Sequence, residues 1–266
     1  MPHPNPHAGI LPRKRLLGVI DRGAPPGEAR RLASLLEIPL LETAPAAPAG
    51  MVVEWGERLA VRPLGTGAPR PVAAAFDDPG YRRRLRQATP RREPLARALG
   101  LHRRRPDRVV DGTGGLGRDA MILAWLGIEV LLVERHPLLA RMLEDGLARA
   151  RNHPELAAAA HRITLDSSDT VDLLRHKAVA DEHFQAIYLD PMYPAGPRRG
   201  GPAREAQILQ LLVPPPDDEA DLLAAALASG VRVVVKRPRK AGPLDGRAPH
   251  HAIEGRAVRF DVYEGG

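Results

Sequence analysis

The chain contains no cysteine. Disulfides and thiolate metal sites are therefore excluded, and a reducing cytoplasm fits. No apolar run approaches the roughly 20 residues that span a bilayer. The first fifteen residues, MPHPNPHAGILPRKR, lack an apolar segment ahead of a small-residue cleavage site. They read as a short disordered leader and not as a secretory signal. The ten histidines show no metal-type spacing, so no metal is expected, and neither a G-x-S-x-G elbow nor a Walker loop occurs. A soluble cytoplasmic protein with no membrane partner is the expectation. Aromatics make up only 3% of the chain, so an aromatic in a loop carries information.

What is present in excess is arginine, and it is concentrated. The net charge is +7 over 266 residues. Residues 81–108, YRRRLRQATPRREPLARALGLHRRRPDR, hold eleven arginines against Glu93 and Asp107. The rest of the chain is slightly acidic, 28 basic against 30 acidic residues. A local basic stripe suits a polyanion or a solvated linker, and charge alone does not choose between them.

The pattern of apolar residues divides the chain. Residues 14–80 read as a small α/β unit. RLLGVID is a strand, GEARRLASLLEI a helix, MVVEWGERLAVRPL a hairpin around Gly56, and PVAAAF a further strand. REPLARALGL reads as a helix. From residue 108 strands alternate with helices. The strands are RVVDG, IEVLLVE, RITLD, FQAIYLD, VRVVVKRP and AVRFDVYEG; the helices are GRDAMILAWLG, PLLARMLEDGLARARN and DDEADLLAAALASG. The alternation predicts a mostly parallel sheet covered by helices, with ligands at the carboxyl ends of its strands. Three segments are expected: residues 1–85, a connecting segment 86–107, and a ligand-binding domain 108–266. PAGPRRGGPAR and KRPRKAGPLDGRAPHH read as mobile loops, with His250–His251 a surface pair.

In VVDGTGGLGRDA a strand runs into Asp111 and then four glycines. Gly112, Gly114 and Gly117 match G-x-G-x-x-G, a weak signal by itself. A bare turn would need fewer glycines, each of which costs entropy. A dinucleotide site would use Glu134 for the ribose, but an acid at Asp111 sits poorly beside a pyrophosphate. S-adenosylmethionine has no phosphate and carries a sulfonium and an ammonium. Asp111 would face its methionine end and Glu134 its ribose hydroxyls. Asp166 or the Ser167–Ser168 pair would reach its adenine. This order of strand-end groups fits a class I methyltransferase core.

The stretch YLDPMYP points to the chemistry. An exocyclic amine conjugated to a base is a poor nucleophile. Asp190 and the Pro191 carbonyl can accept its N–H bonds, and Tyr193 can stack on a flipped base. Prolines on both sides stiffen the loop and favour a near-attack geometry. The loop does not distinguish adenine N6 from guanine N2. A dinucleotide oxidoreductase and a non-catalytic RNA-binding protein are the readings from other classes.

DGTGGLGRDA, LLVERHP, YLDPMYP and VVVKRP followed by RFDVY together resemble the bacterial ribosomal RNA small-subunit methyltransferase J family. The resemblance runs from about residue 105 to 263. It implies a class I (Rossmann-like) fold and methyl transfer from S-adenosylmethionine to N2 of a guanosine in 16S rRNA, on RNA or on the small ribosomal subunit. It also implies cofactor contacts at Arg118, Asp119, Glu134, Arg135, Ser167, Ser168 and Asp190. Family members carry a glycine-rich basic stretch ahead of the cofactor loop. Here that stretch is RRRLRQATPRREPLARALG, basic without the glycine run. Arg82, Arg83 and Arg84, Arg198 and Arg199, and Lys236 and Arg237 are the expected phosphate contacts.

Overall fold

The computed structural model describes residues 16–46, 49–103, 106–176, 184–191, 208–213 and 218–265. The expected leader, residues 1–15, lies outside them. The chain divides into two compact units, Met1–Ala74 with Pro194–Pro215, and Ala75–Tyr193 with Pro216–Gly266. The division falls at residue 74, ahead of the boundary expected at 85, and the arginine-rich segment belongs to the second unit.

The first unit holds a sheet of β1 (Leu16–Asp21), β2 (Leu40–Leu41), β3 (Met51–Trp55) and β4 (Leu59–Pro63), in the order β2-β1-β3-β4. Helix α1 (Glu28–Leu35) follows β1 and buries Ala29, Leu32 and Ala33. Strands β3 and β4 form the antiparallel hairpin read around Gly56. PVAAAF is not a strand. Only Val72 makes a bridge, to Val61, and the segment then turns away to bury Ala74 and Phe76.

The second unit opens with α2 (Pro79–Gln87) and α3 (Pro94–Ala98). Alternating elements follow: β5 (Arg108–Asp111), α4 (Arg118–Trp125), β6 (Glu129–Val133), α5 (Pro137–Arg151), α6 (Ala157–Ala160), β7 (Ile163–Asp166), α7 (Thr170–Arg175) and β8 (Ala186–Leu189). Helix α8 (Glu219–Ala228), β9 (Arg232–Pro238), β10 (His251–Glu254) and β11 (Val258–Tyr263) complete it. Among the described residues they form one sheet, ordered β10-β11-β9-β8-β5-β6-β7, parallel except for the antiparallel β11. The strand order reverses between β5 and β8, which opens a crevice at their carboxyl ends. Central strands are buried on both faces, so they are rich in Val, Ile and Leu; Val109, Val110, Ile187 and Val233–Val235 are fully buried. Each such side chain contributes roughly 1.5–3 kcal/mol relative to exposure.

Helix α2 carries only Tyr81 and Leu85 inward. Asp78 caps it by accepting the Tyr81 N–H at 2.8 Å. Its arginines are largely tied to carboxylates: Arg82 and Arg86 both reach Glu155, at 3.0 and 2.7 Å, and Arg84 reaches Glu93 at 3.0 Å. Strand β10 starts at His251, the last residue of a segment read as a mobile loop. His251 pairs with Val262, and the loop before it is pinned. The Arg237 Nε donates to Gly242 O at 3.1 Å, and Arg259 donates to Arg239 O at 3.2 Å.

Candidate active site

The glycine loop joins β5 to α4 at the crevice. The Gly112 N–H donates to Tyr188 O on β8, and the Gly114 N–H to Val133 O on β6, at 2.9 and 2.8 Å. The loop is thereby stitched to both neighbouring strands. A Cβ on Gly114 would lie 3.0 Å from Val133 O, so only glycine lets the loop lie this close to β6. Gly117 adopts φ +71° as the cap of α4, and a Cβ there would meet Leu143 at 2.8 Å and Phe76 at 3.0 Å. Part of the glycine content therefore serves packing against the protein itself.

Two carboxylates face this loop without an ion-pair partner among the described residues. Asp111 is buried and accepts the Thr113 N–H at 3.2 Å. Burial, then the nearby Asp119, push its carboxyl up to about 8. Glu134, just past β6, accepts N–H bonds from Gly115 and His136, both at 2.7 Å. Burial carries its carboxyl up to about 7 against those two hydrogen bonds. A buried carboxylate without a cation is costly, and a cationic ligand would relieve it.

On the other side of the crevice the carboxylates are paired. The Lys236 Nζ on β9 donates to Asp119 on α4 and to Asp190 beyond β8, at 2.8 Å each. The fully buried Tyr188 donates its hydroxyl to Asp119 at 2.6 Å. The Asp190 N–H donates to Thr113 Oγ1 at 2.6 Å, which ties the Asp-Pro loop to the glycine loop. Burial opposes ionisation of Asp119, but Lys236 and the Tyr188 hydroxyl outweigh it and hold its carboxyl below the usual range. Asp190 moves upward, because burial and Asp119 outweigh Lys236. Lys236 stays protonated, since its two carboxylates outweigh burial.

The remaining expected residues separate clearly. Arg118 sets its guanidinium 5.7 Å from the Tyr81 ring centre, and its carbonyl accepts the Tyr81 hydroxyl at 2.5 Å. Arg135 reaches Asp169 at 2.9 Å and Asp218 at 3.2 Å, so it clamps the starts of α7 and α8. Ser167 is exposed. The Ser168 Oγ is buried with no hydrogen-bond partner among the described residues, and so is His136 Nε2. Pro191 is buried. Tyr193, Arg198 and Arg199 lie outside the described residues. Arg82, Arg84, Lys236 and Arg237 are engaged within the protein; Arg83 is exposed.

Thr113, Tyr188 and His136 were not singled out from the sequence as site residues. Tyr188 sits two residues before Asp190, and that spacing along the strand was the available signal. His136 caps α5, its Nδ1 accepting the Leu139 N–H at 3.4 Å, so Nε2 carries the proton. Burial and Arg135 drive its pKa down to about 4, so the ring is neutral.

A family model of SAM-dependent methyltransferases, SAM_MT, matches residues 36–265. The chain belongs to this family. A ribosomal RNA small subunit methyltransferase J from Alkalilimnicola ehrlichii is 47% identical over 256 residues, covering 94% of this chain and 96% of that protein. The protein of the same name from Halorhodospira halophila is 44% identical over 252 residues, 94% of each. The crystal structure of a SAM-dependent methyltransferase from Neisseria gonorrhoeae superposes with a TM-score of 0.69 at 30% identity, covering 94% of this chain and 96% of that one. S-adenosylmethionine is thus the methyltransferase's cofactor. The residues present fit it: two buried carboxylates raised by burial, and two buried polar atoms, Ser168 Oγ and His136 Nε2, without hydrogen-bond partners among the described residues.

Proposed function

We propose that the enzyme methylates the exocyclic N2 of a guanosine in small-subunit (16S) rRNA. The observation that carries the amine reading is the pairing of Asp190 with Lys236, locked to the glycine loop through Thr113. The guanine and the ribosomal RNA come from the likeness to the small-subunit methyltransferases J.

When bound, S-adenosylmethionine supplies an electrophilic methyl group on a sulfonium. Glu134 would hold the ribose hydroxyls, Asp111 the ammonium, and Ser168 with His136 the adenine edge. Asp190 and the Pro191 carbonyl accept hydrogen bonds from the amine, so its lone pair turns toward the methyl carbon. The bound cofactor would supply its methyl by in-line displacement, a nitrogen–carbon bond replacing the sulfur–carbon bond and the electron pair staying on sulfur. The surplus proton leaves the nitrogen after transfer, so no strong base is required. Lys236 fixes one Asp190 oxygen and opposes the upward shift of its carboxyl, leaving lone pairs for the amine.

Digestion of small-subunit RNA after incubation with isotopically labelled S-adenosylmethionine tests the target atom. Label in N2-methylguanosine is the expected result. Label in N6-methyladenosine would transfer the same geometry to the other amine class.

A further inference from the structure

Most arginines of α2 are tied to carboxylates, so the cations available to a polyanion lie elsewhere. Arg91, Arg92, Lys240 and Arg256 are exposed and have no side-chain partner among the described residues. They converge on one corner of the sheet. The β10–β11 turn carries Arg256 and lies at the same end of the sheet as the carboxyl end of β9, since Val258 pairs with Pro238. The Arg239 N–H donates to Ala257 O at 3.3 Å, which joins the loop bearing Lys240 to that turn. Pro94, just past Arg91 and Arg92, comes within 3.9 Å of where a Cβ on Gly255 would be. The acids beside this corner are already matched, Glu254 by Arg239 at 2.9 Å and Glu93 by Arg84 at 3.0 Å. Arg237 and Arg259 donate to backbone carbonyls of the loop that carries Lys240, which lowers the cost of ordering that loop at binding.

The corner adjoins the site. Lys240 is four residues beyond Lys236, at most about 14 Å of extended chain from the residue that holds Asp190. We propose that Arg91, Arg92, Lys240 and Arg256 form the surface that holds the RNA phosphates flanking the target nucleotide. The inference rests on the ribosomal RNA reading and adds the face on which the RNA lies. A pinned ridge of cations beside the crevice is suited to phosphates, which position a nucleic acid without reading its sequence.

The test measures methyl transfer to small-subunit RNA across a salt series. The variant combines Arg91→Ala, Arg92→Ala, Lys240→Ala and Arg256→Ala, with each single substitution beside it. Arg175→Ala, at the far end of α7, is the control. Losing four phosphate contacts should flatten the log KM against log salt slope by about 3 and raise the RNA KM about a hundredfold at physiological salt. Each single variant should flatten the slope by about 0.7–0.9. The kcat at saturating RNA and the affinity for S-adenosylmethionine should stay at wild-type values, which also reports folding. Unchanged slopes and KM in the single variants, with cofactor affinity intact, would overturn the proposal. A wild-type enzyme that methylates no small-subunit RNA would instead remove the reading beneath it.

Discussion

The two walls of the crevice treat buried carboxylate in opposite ways. At the ends of β5 and β6, Asp111 and Glu134 accept hydrogen bonds from backbone N–H groups, and burial raises both, to about 8 and about 7. Across the crevice, Asp119 and Asp190 share Lys236 at 2.8 Å. Among the described residues the first wall has no cation in ion-pair contact, and the second contains its own. A wall left short of a cation is built to receive one from a ligand. A compensated wall is built to hold a geometry. The cofactor is cationic and the amine is neutral, so the division matches the two substrates.

The largest effect that would sharpen this contrast is expected at the compensated wall. Asp190→Ala should lower kcat by about 10²–10³, the usual loss when a group aimed at the reacting atoms is removed. Cofactor affinity, read by titration calorimetry, should hardly change. Glu134→Ala should do the reverse. Losing hydrogen bonds to a charged acceptor, about 1.5–3 kcal/mol each, should weaken S-adenosylmethionine by about a hundredfold, with kcat at saturation much less affected.

Lys236→Met should lower kcat by about tenfold, as expected of a group that acts through another. It should also move the acid limb of the pH–rate profile upward, because Asp190 loses the charge that opposes its upward shift. Lys236→Arg should restore part of both. A salt-dependent rise in RNA KM, with the pH profile unmoved, would make Lys236 a phosphate contact instead.

The smallest effect concerns stability. The folded pKa of Asp111, about 8, lies above its ordinary value of 3.8. The stability linked to its neutral form is therefore fully present below about pH 4 and is lost as pH rises through about 8. Asp111→Asn should raise the Tm of the ligand-free enzyme by a few degrees at pH 9 and leave it unchanged near pH 4, while weakening the cofactor. Equal Tm values at both pH values would show that Asp111 is not held without a cation.

The parallel sheet was legible because βα alternation and glycine or proline boundaries mark each element. The glycine loop, Glu134 and Asp190 were legible because strand ends in such a sheet meet at one crevice. Helix α2 was hidden by its arginines, since only Tyr81 and Leu85 mark its inner face. Strand β10 was hidden because four residues directly after a Gly/Pro-rich loop show little periodicity. The ion pairs were illegible for a different reason. Arg82 with Glu155, and Lys236 with Asp119, join distant parts of the chain, and no local pattern announces such partners. That is why the pairing of Arg82, Arg84 and Arg86 with carboxylates inside the protein could not be read from the basic run itself.

The most direct test of the account is calorimetric titration of the wild-type enzyme and Glu134→Ala with S-adenosylmethionine, NAD and NADP. The account predicts binding heat with S-adenosylmethionine alone, lost in the variant. Binding of NAD or NADP to the wild type, undiminished in Glu134→Ala, would contradict it.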